Sequence, residues 1–227
     1  MTRRPRRWLR YLTAGVVVLV ALFLVGPLVY DHVAGSGPAE LTLPTEGVEA
    51  TAGGSGSAVP DGNWNVGPHS LVGYRVQTDV LGYRSTLVGR TRSVWGSITV
   101  AHGVVVKGTL AVDLASLSGS ASAGKVLDTG AYPKASLVLT SPFALSPAHG
   151  QVHRYAAHGD LTLHGATRAI AFTASEEYVN GTMYVLAEIP VNLTQWHVTP
   201  PFGVKDHGAL EVLLGLTRGA GNRHVDG

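Results

Sequence analysis

The side chains of this chain that could do chemistry are its carboxylates, its ten histidines and two lysine motifs, for with no cysteine there is no thiolate. Gly119 to Lys125 has the G-x-x-x-x-G-K spacing of a phosphate-binding loop, in which backbone N–H groups and the lysine cradle phosphates. Val126 stands where that loop needs a magnesium-binding hydroxyl, and Gly130 and Pro133 cut off the helix that must follow. Ser122 to Lys125 satisfies S-x-x-K, but the Ser-Asp-Asn and Lys-Thr-Gly partners of acylating serine enzymes are missing. Both matches reduce to a glycine-rich loop. Among the acids, Asp160, Glu176, Glu177 and Glu188 lie in strand-like sequence. Adjacent strand residues point to opposite faces, so Glu176 and Glu177 cannot share one site, and the pair is expected on a solvated face. His158 and His164 are six residues apart, about 20 Å along a strand, too far to share a metal unless the chain turns between them. His153 is the third member of this closest group, and His197 and His207 could supply a second pair across a loop. The expectation is no catalytic residue, no metal and no enzyme activity, with His164 serving the turn before Gly165.

The elements that carry these residues are strands. In His158-Gly159-Asp160-Leu161-Thr162-Leu163-His164-Gly165, Leu161 and Leu163 fall on one face, Asp160 and Thr162 on the other, and glycines bracket the run. The same alternation returns in Val104 to Val112, Ile170 to Ala174, Met183 to Ile189 and Leu210 to Leu216, broken by Gly, Pro or Asn. Short connections predict an antiparallel meander. Pro190 and the stretch Gln195 to Gly203 are expected to interrupt pairing before a last strand from Ala209 to Leu216.

Charge divides the chain. Of 17 basic residues, five arginines stand in the first ten positions, and removing them leaves twelve bases against 15 acids, a net −3 with no basic field for nucleic acid. After this basic cytoplasmic N-terminus (1–11), residues 12–30 form an uncharged and nearly unbroken apolar run. As a helix it is roughly 28 Å long, close to the hydrocarbon thickness of a bilayer. Its length, and the lack of a small-x-small site directly after it, predict a single-pass transmembrane anchor rather than a cleaved signal. Arginines before the span, with Asp31, Glu40 and Glu46 after it, orient the N-terminus inside and put the body on the extracytoplasmic side of the cell membrane. Residues 31–60 read as a flexible Gly/Ser linker with a reach of about 30 Å. Residues 61–217 form one β-domain, large enough for a real core. Residues 218–227 read as a disordered tail.

The ordered set Trp64, Val88-Gly89, Val94-Trp95-Gly96-Ser97-Ile98, Val112 to Leu117, Tyr132-Pro133-Lys134-Ala135, Gly159 to Gly165 and Pro201-Phe202-Gly203-Val204 resembles the YceI-like family over about residues 62–217. The resemblance implies an extracytoplasmic, lipocalin-like antiparallel up-and-down β-barrel. It also implies a polyisoprenoid held in an apolar lumen. An eight-stranded barrel is just wide enough for side chains or one slender ligand. Strand parity nominates Val72, Tyr74, Val76, Leu110, Val112, Leu137, Leu139, Leu161, Leu163, Ile170 and Phe172 for the lumen, which a packed core would use equally well. Trp196 and Phe202 are rim or lid candidates, placed either to touch the membrane or to plug one end. The segment Ser118 to Gly130 departs from the family, being short and small where relatives carry an Arg-Asp pair and aromatics, which leaves the ligand's identity open.

The expected function is therefore carriage of a long apolar lipid, with no cofactor beyond a bound isoprenoid or quinone. Two other readings compete. One is a structural or stress-related envelope protein with a filled barrel working through protein contacts, and the other is a redox helper holding a quinone or haem.

Overall fold

The computed structural model describes residues 38–44, 59–119, 123–146 and 152–219. All of them belong to the compact unit Pro38–Gly227. The strands are β1 (Gly62–Val66), β2 (Leu71–Val80), β3 (Tyr83–Thr91), β4 (Val94–Ala101), β5 (Val104–Asp113), the two-residue β6 (Ser118–Gly119), β7 (Lys134–Leu139), the two-residue β8 (Phe143–Ala144), β9 (His153–Leu163), β10 (Ala166–Val179), β11 (Thr182–Asn192) and β12 (Val204–Arg218). The helix α1 (Ala123–Val126) and two 3₁₀ turns, Leu114–Ser116 and Leu193–Trp196, are the described helical pieces.

Every pairing is antiparallel, and the ladder closes through β1-β4-β5-β7-β9-β10-β11-β12 and back from β12 to β1. The closed circuit has eight staves, two of them broken. β1 and β2 both pair with β12, at Leu216 to Arg218 and at Val204 to Leu213, so they form one bent stave. Its kink is pinned where Gly67 N–H donates to Gly215 O at 2.8 Å and Gly215 N–H donates to Ser70 Oγ at 3.1 Å. β3 and β4 make the matching stave beside it, pairing with β2 and β1 in turn.

Four hairpins close on two residues each, Leu81-Gly82, His102-Gly103, His164-Gly165 and Asn180-Gly181, all with positive φ at both positions. This is the turn whose twist matches flanking strands, and it needs a glycine or a residue tolerant of the left-handed region. His164 (φ 50) thus occupies the turn before Gly165 (φ 74), as the sequence implied. One barrel end carries the Leu81-Gly82 and His164-Gly165 turns with the long connections after β5 and β11. The opposite end carries His102-Gly103, Asn180-Gly181 and the β7–β9 connection.

Inside, alternate residues form one core. Trp64, Tyr74, Val76, Leu110, Val112, Leu161, Leu163, Met183, Ile189, Val212, Leu214 and Leu216 are all buried. Each large apolar side chain so enclosed stabilises the barrel by roughly 1.5–3 kcal/mol. Gly159 keeps β9 close to β7, because a Cβ there would meet Val138 O at 2.7 Å and Leu137 Cδ1 at 2.9 Å. Gly159→Ala is expected to push these strands apart and cost about 1–3 kcal/mol, read as a lowered Tm.

Four expectations are corrected. Pro190 does not end its strand, since β11 runs to Asn192 with Pro190 opposite Ala209. Pairing with β10 stops at Glu188, so the missing N–H falls where β11 has a neighbour on one side only. The last strand begins at Val204 rather than Ala209 and keeps Arg218, paired with Trp64. The linker is not wholly free, because Arg75 donates to Pro38 O at 2.8 Å, Arg90 donates to Ala39 O, and Leu43 is buried. Finally, Glu176 and Glu177 do not sit on a solvated face, for both are buried. The anchor predicted over 12–30 and the tail beyond Gly219 lie outside the described residues. Among the described residues no helix is long and apolar enough to cross a membrane.

Candidate functional site

The barrel interior holds two adjoining apolar spaces. The one at the β9–β10 turn end has a cavity volume of about 40 Å³ and is lined by Val72, Tyr74, Leu110, Val112, Leu137, Leu161 and Leu163, with Leu114, Leu117 and Leu127 closing over it. The second, of about 80 Å³, is lined by Leu110, Leu137, Leu139, Phe172 and residues of β11 and β12. Leu110, Leu137, Ile189 and Val212 border both, so the two spaces adjoin, and together they make up the lumen. No charged residue lines either space. Both spaces are narrow, and their walls are mostly apolar with few polar groups, as in small-molecule sites.

The eleven lumen candidates all belong to the buried cluster or pack against it. Nine border the lumen, while Val76 and Ile170 do not. Phe172 also borders a third space, shared with Ala171, Thr173, Ser175, Leu186, Glu188 and Pro190. It lies where β10 and β11 part after the Thr173–Glu188 pair. Phe172 is thus the side chain between the lumen and that seam.

The rim candidates separate. Trp196 is only 2% exposed, its indole N–H pointing at Leu161 O at 3.5 Å, and its carbonyl meets Nδ1 of His164 at 3.1 Å. It plugs the barrel end and cannot reach a membrane. Asn192, whose side chain accepts from Thr194 N–H, starts the 3₁₀ turn that swings the indole inward. Phe202 is 87% exposed and stands with Leu81, 85% exposed, on that end. The two tips are joined by Asp79 N–H donating to Gly203 O at 2.7 Å.

Parity missed Val126 and Leu127. They fall in the segment read as small and featureless, yet both are buried and Leu127 borders the lumen. A four-residue helix, α1, turns them inward, and Lys125 beside them is exposed. The signal in sequence was Val126-Leu127 itself, an apolar pair amid glycine, serine and lysine.

Polar groups cluster past the far end of the lumen. Glu176 is on the inward face of β10, opposite His153 of β9 and Val185 of β11. Burial lifts its carboxyl from 4.5 to about 7, His153 works against the shift and Glu177 adds to it. Burial likewise pushes up the hydroxyl of Tyr155 there, and that of Tyr74 at the other end. Because folding favours the protonated form of Glu176, the stability this gives is full below about pH 4.5 and is lost as pH rises through about 7. The Tm of wild type is expected to fall over that window relative to Glu176→Gln, and parallel curves would contradict this.

Among the described residues no three metal-ligating side chains come together. His158 lies on the outer face, His164 stacks on Tyr132 with ring centres 3.8 Å apart, and His207 is bonded to Asp206.

A model of the YceI-like domain matches residues 64–215. The chain belongs to the YceI-like family. Its YceI-like barrel is similar to a solved polyisoprenoid-binding domain from Saccharophagus degradans, described as implicated in plant cell wall breakdown. The two share 13% identity at a TM-score of 0.54, covering 70% of this chain and all of that one. It is also similar to BcnA of Burkholderia cenocepacia, at 18% identity and a TM-score of 0.53, covering 66% of this chain and 98% of that one. At such identities the likeness is one of fold. No curated protein matches the YceI-like chain in sequence.

Proposed function

We propose that this YceI-like protein carries a long apolar lipid of polyisoprenoid type in its barrel lumen and releases it chemically unchanged. The observation that supports this most is an interior bordered almost wholly by apolar residues and by no charged one. Such a wall offers nothing to a polar substrate and pays no desolvation penalty for an alkyl or prenyl chain. The similarity to a polyisoprenoid-binding domain points the same way. In this reading residues 12–30 anchor the protein in the cell membrane with the N-terminus inside, and the barrel works on the extracytoplasmic side. The exposed end with Leu81 and Phe202 is the face suited to a lipid surface.

The test is uptake. Purified full chain is mixed with vesicles carrying a trace polyprenol, separated from them, and the polyprenol recovered with the protein is measured. Saturable uptake near one molecule per chain is expected. Protein that stays empty at saturating vesicle concentrations would overturn the proposal.

A further inference from the structure

Resting on the carrier reading, we infer that Glu176 is the receiving group for the polar end of the cargo, and that this end is an uncharged hydroxyl. The carboxyl belongs to a residue only 5% exposed, and its Oε1 is buried with no hydrogen-bond partner. Such groups are rare and costly in a folded interior, and a polar partner from outside the chain is one way to satisfy them. Its place favours that one. Ala174, two residues along the same inward face, and Val185, its cross-strand partner, both border the lumen. Phe143, another lumen residue, lies against Tyr155 with ring centres 5.4 Å apart, and Tyr155 in turn feels the charge of Glu176. The carboxyl therefore stands just beyond the apolar space, where a chain lying along the barrel would place its terminus.

The chemistry of the group selects the terminus. A carboxyl accepts a hydrogen bond from an alcohol or phenol in either protonation state, and the bond is stronger when the acceptor is ionised. A phosphate end would bring like charge to a desolvated acid. On the facing strands the titratable groups acting on Glu176 are His153 and Tyr155 of β9, with Glu177 on its own strand, while β11 presents Val185.

Three chain-matched probes test this on the purified full chain: a polyprenol, the hydrocarbon lacking its hydroxyl, and the polyprenyl phosphate. Wild type should retain the alcohol about tenfold more tightly than the hydrocarbon, with the phosphate weaker than the alcohol. Glu176→Leu should bring the alcohol to parity with the hydrocarbon and leave the hydrocarbon unchanged. Glu176→Gln, nearly the same shape, should keep a preference that no longer grows as pH rises through about 7, as it does in wild type. A preference surviving in Glu176→Leu, a pH response unchanged in Glu176→Gln, or a phosphate held more tightly than the alcohol would overturn the inference. If wild type binds alcohol and hydrocarbon equally, the inference fails while the carrier reading stands. If it binds none of the three, both fail.

Discussion

Leu163→Glu is expected to leave the barrel without cargo and to destabilise it by several kcal/mol. Leu163 is 1% exposed and borders the lumen near the plugged end. No cation lines that space to pair with a carboxylate. A charge placed there must either be stripped of water or take up a proton, and both routes cost several kcal/mol. The new carboxyl should therefore titrate well above the usual carboxylate range, and the variant should lose less stability in acid than at neutral pH. Leu163→Met conserves volume and should change stability by less than about 1.5 kcal/mol while keeping uptake of polyprenol. Thermal unfolding across pH, with uptake measured beside it, checks the pair. Wild-type stability and uptake in Leu163→Glu would mean that this position does not face a closed apolar interior.

Glu211→Ala is expected to lower stability by about 3 kcal/mol and to free the segment strapped across the outside of the barrel. Glu211 is buried on the outer face of β12, with Arg75 Nε at 2.9 Å on one oxygen and an Arg90 terminal nitrogen at 2.9 Å on the other. The two arginines also hold the carbonyls of Pro38 and Ala39. Without the carboxylate, two guanidiniums face each other in a partly enclosed place, and Arg90 Nε already lacks a partner. Removing one member of a buried ion pair costs roughly 3–5 kcal/mol, and the residual exposure of both arginines argues for the lower figure. At about 2–4 °C per kcal/mol for a domain of this size, Tm should fall by roughly 6–12 °C. Hydrogen exchange should rise over residues 39–43. Unchanged exchange there would show that the strap is held by something other than this ion pair.

Most of the barrel was legible in sequence because period-two alternation is a direct image of an inside and an outside. Leu161 and Leu163, and Val72, Tyr74 and Val76, were placed inward by parity, and they are buried. What alternation cannot encode is which inward residues border a space and which only pack. Val76 and Leu110 look alike in sequence, yet only Leu110 borders the lumen, since that depends on the side chains opposite. Glycine and proline misled in two places. Pro190 looked like a breaker, but a strand with a neighbour on one side only has no use for the missing N–H. Pro38 to Leu43, flanked by Gly/Ser runs, looked like tether, but its carbonyls meet arginines more than thirty residues away. Glu176 was misjudged for a related reason. An acid on a strand is usually solvated, and its burial here follows from barrel closure, a long-range property that no local window contains.

The central claim is that the lumen carries an apolar chain. Its most direct test is native mass spectrometry of the full chain purified from cells, followed by organic extraction and identification of whatever is released. The account predicts a stoichiometric adduct that partitions into organic solvent and carries a prenyl-type chain. A protein that comes through purification empty, and then refuses added polyprenols and quinones, would contradict it and turn attention to the exposed end of the barrel, where Leu81 and Phe202 stand.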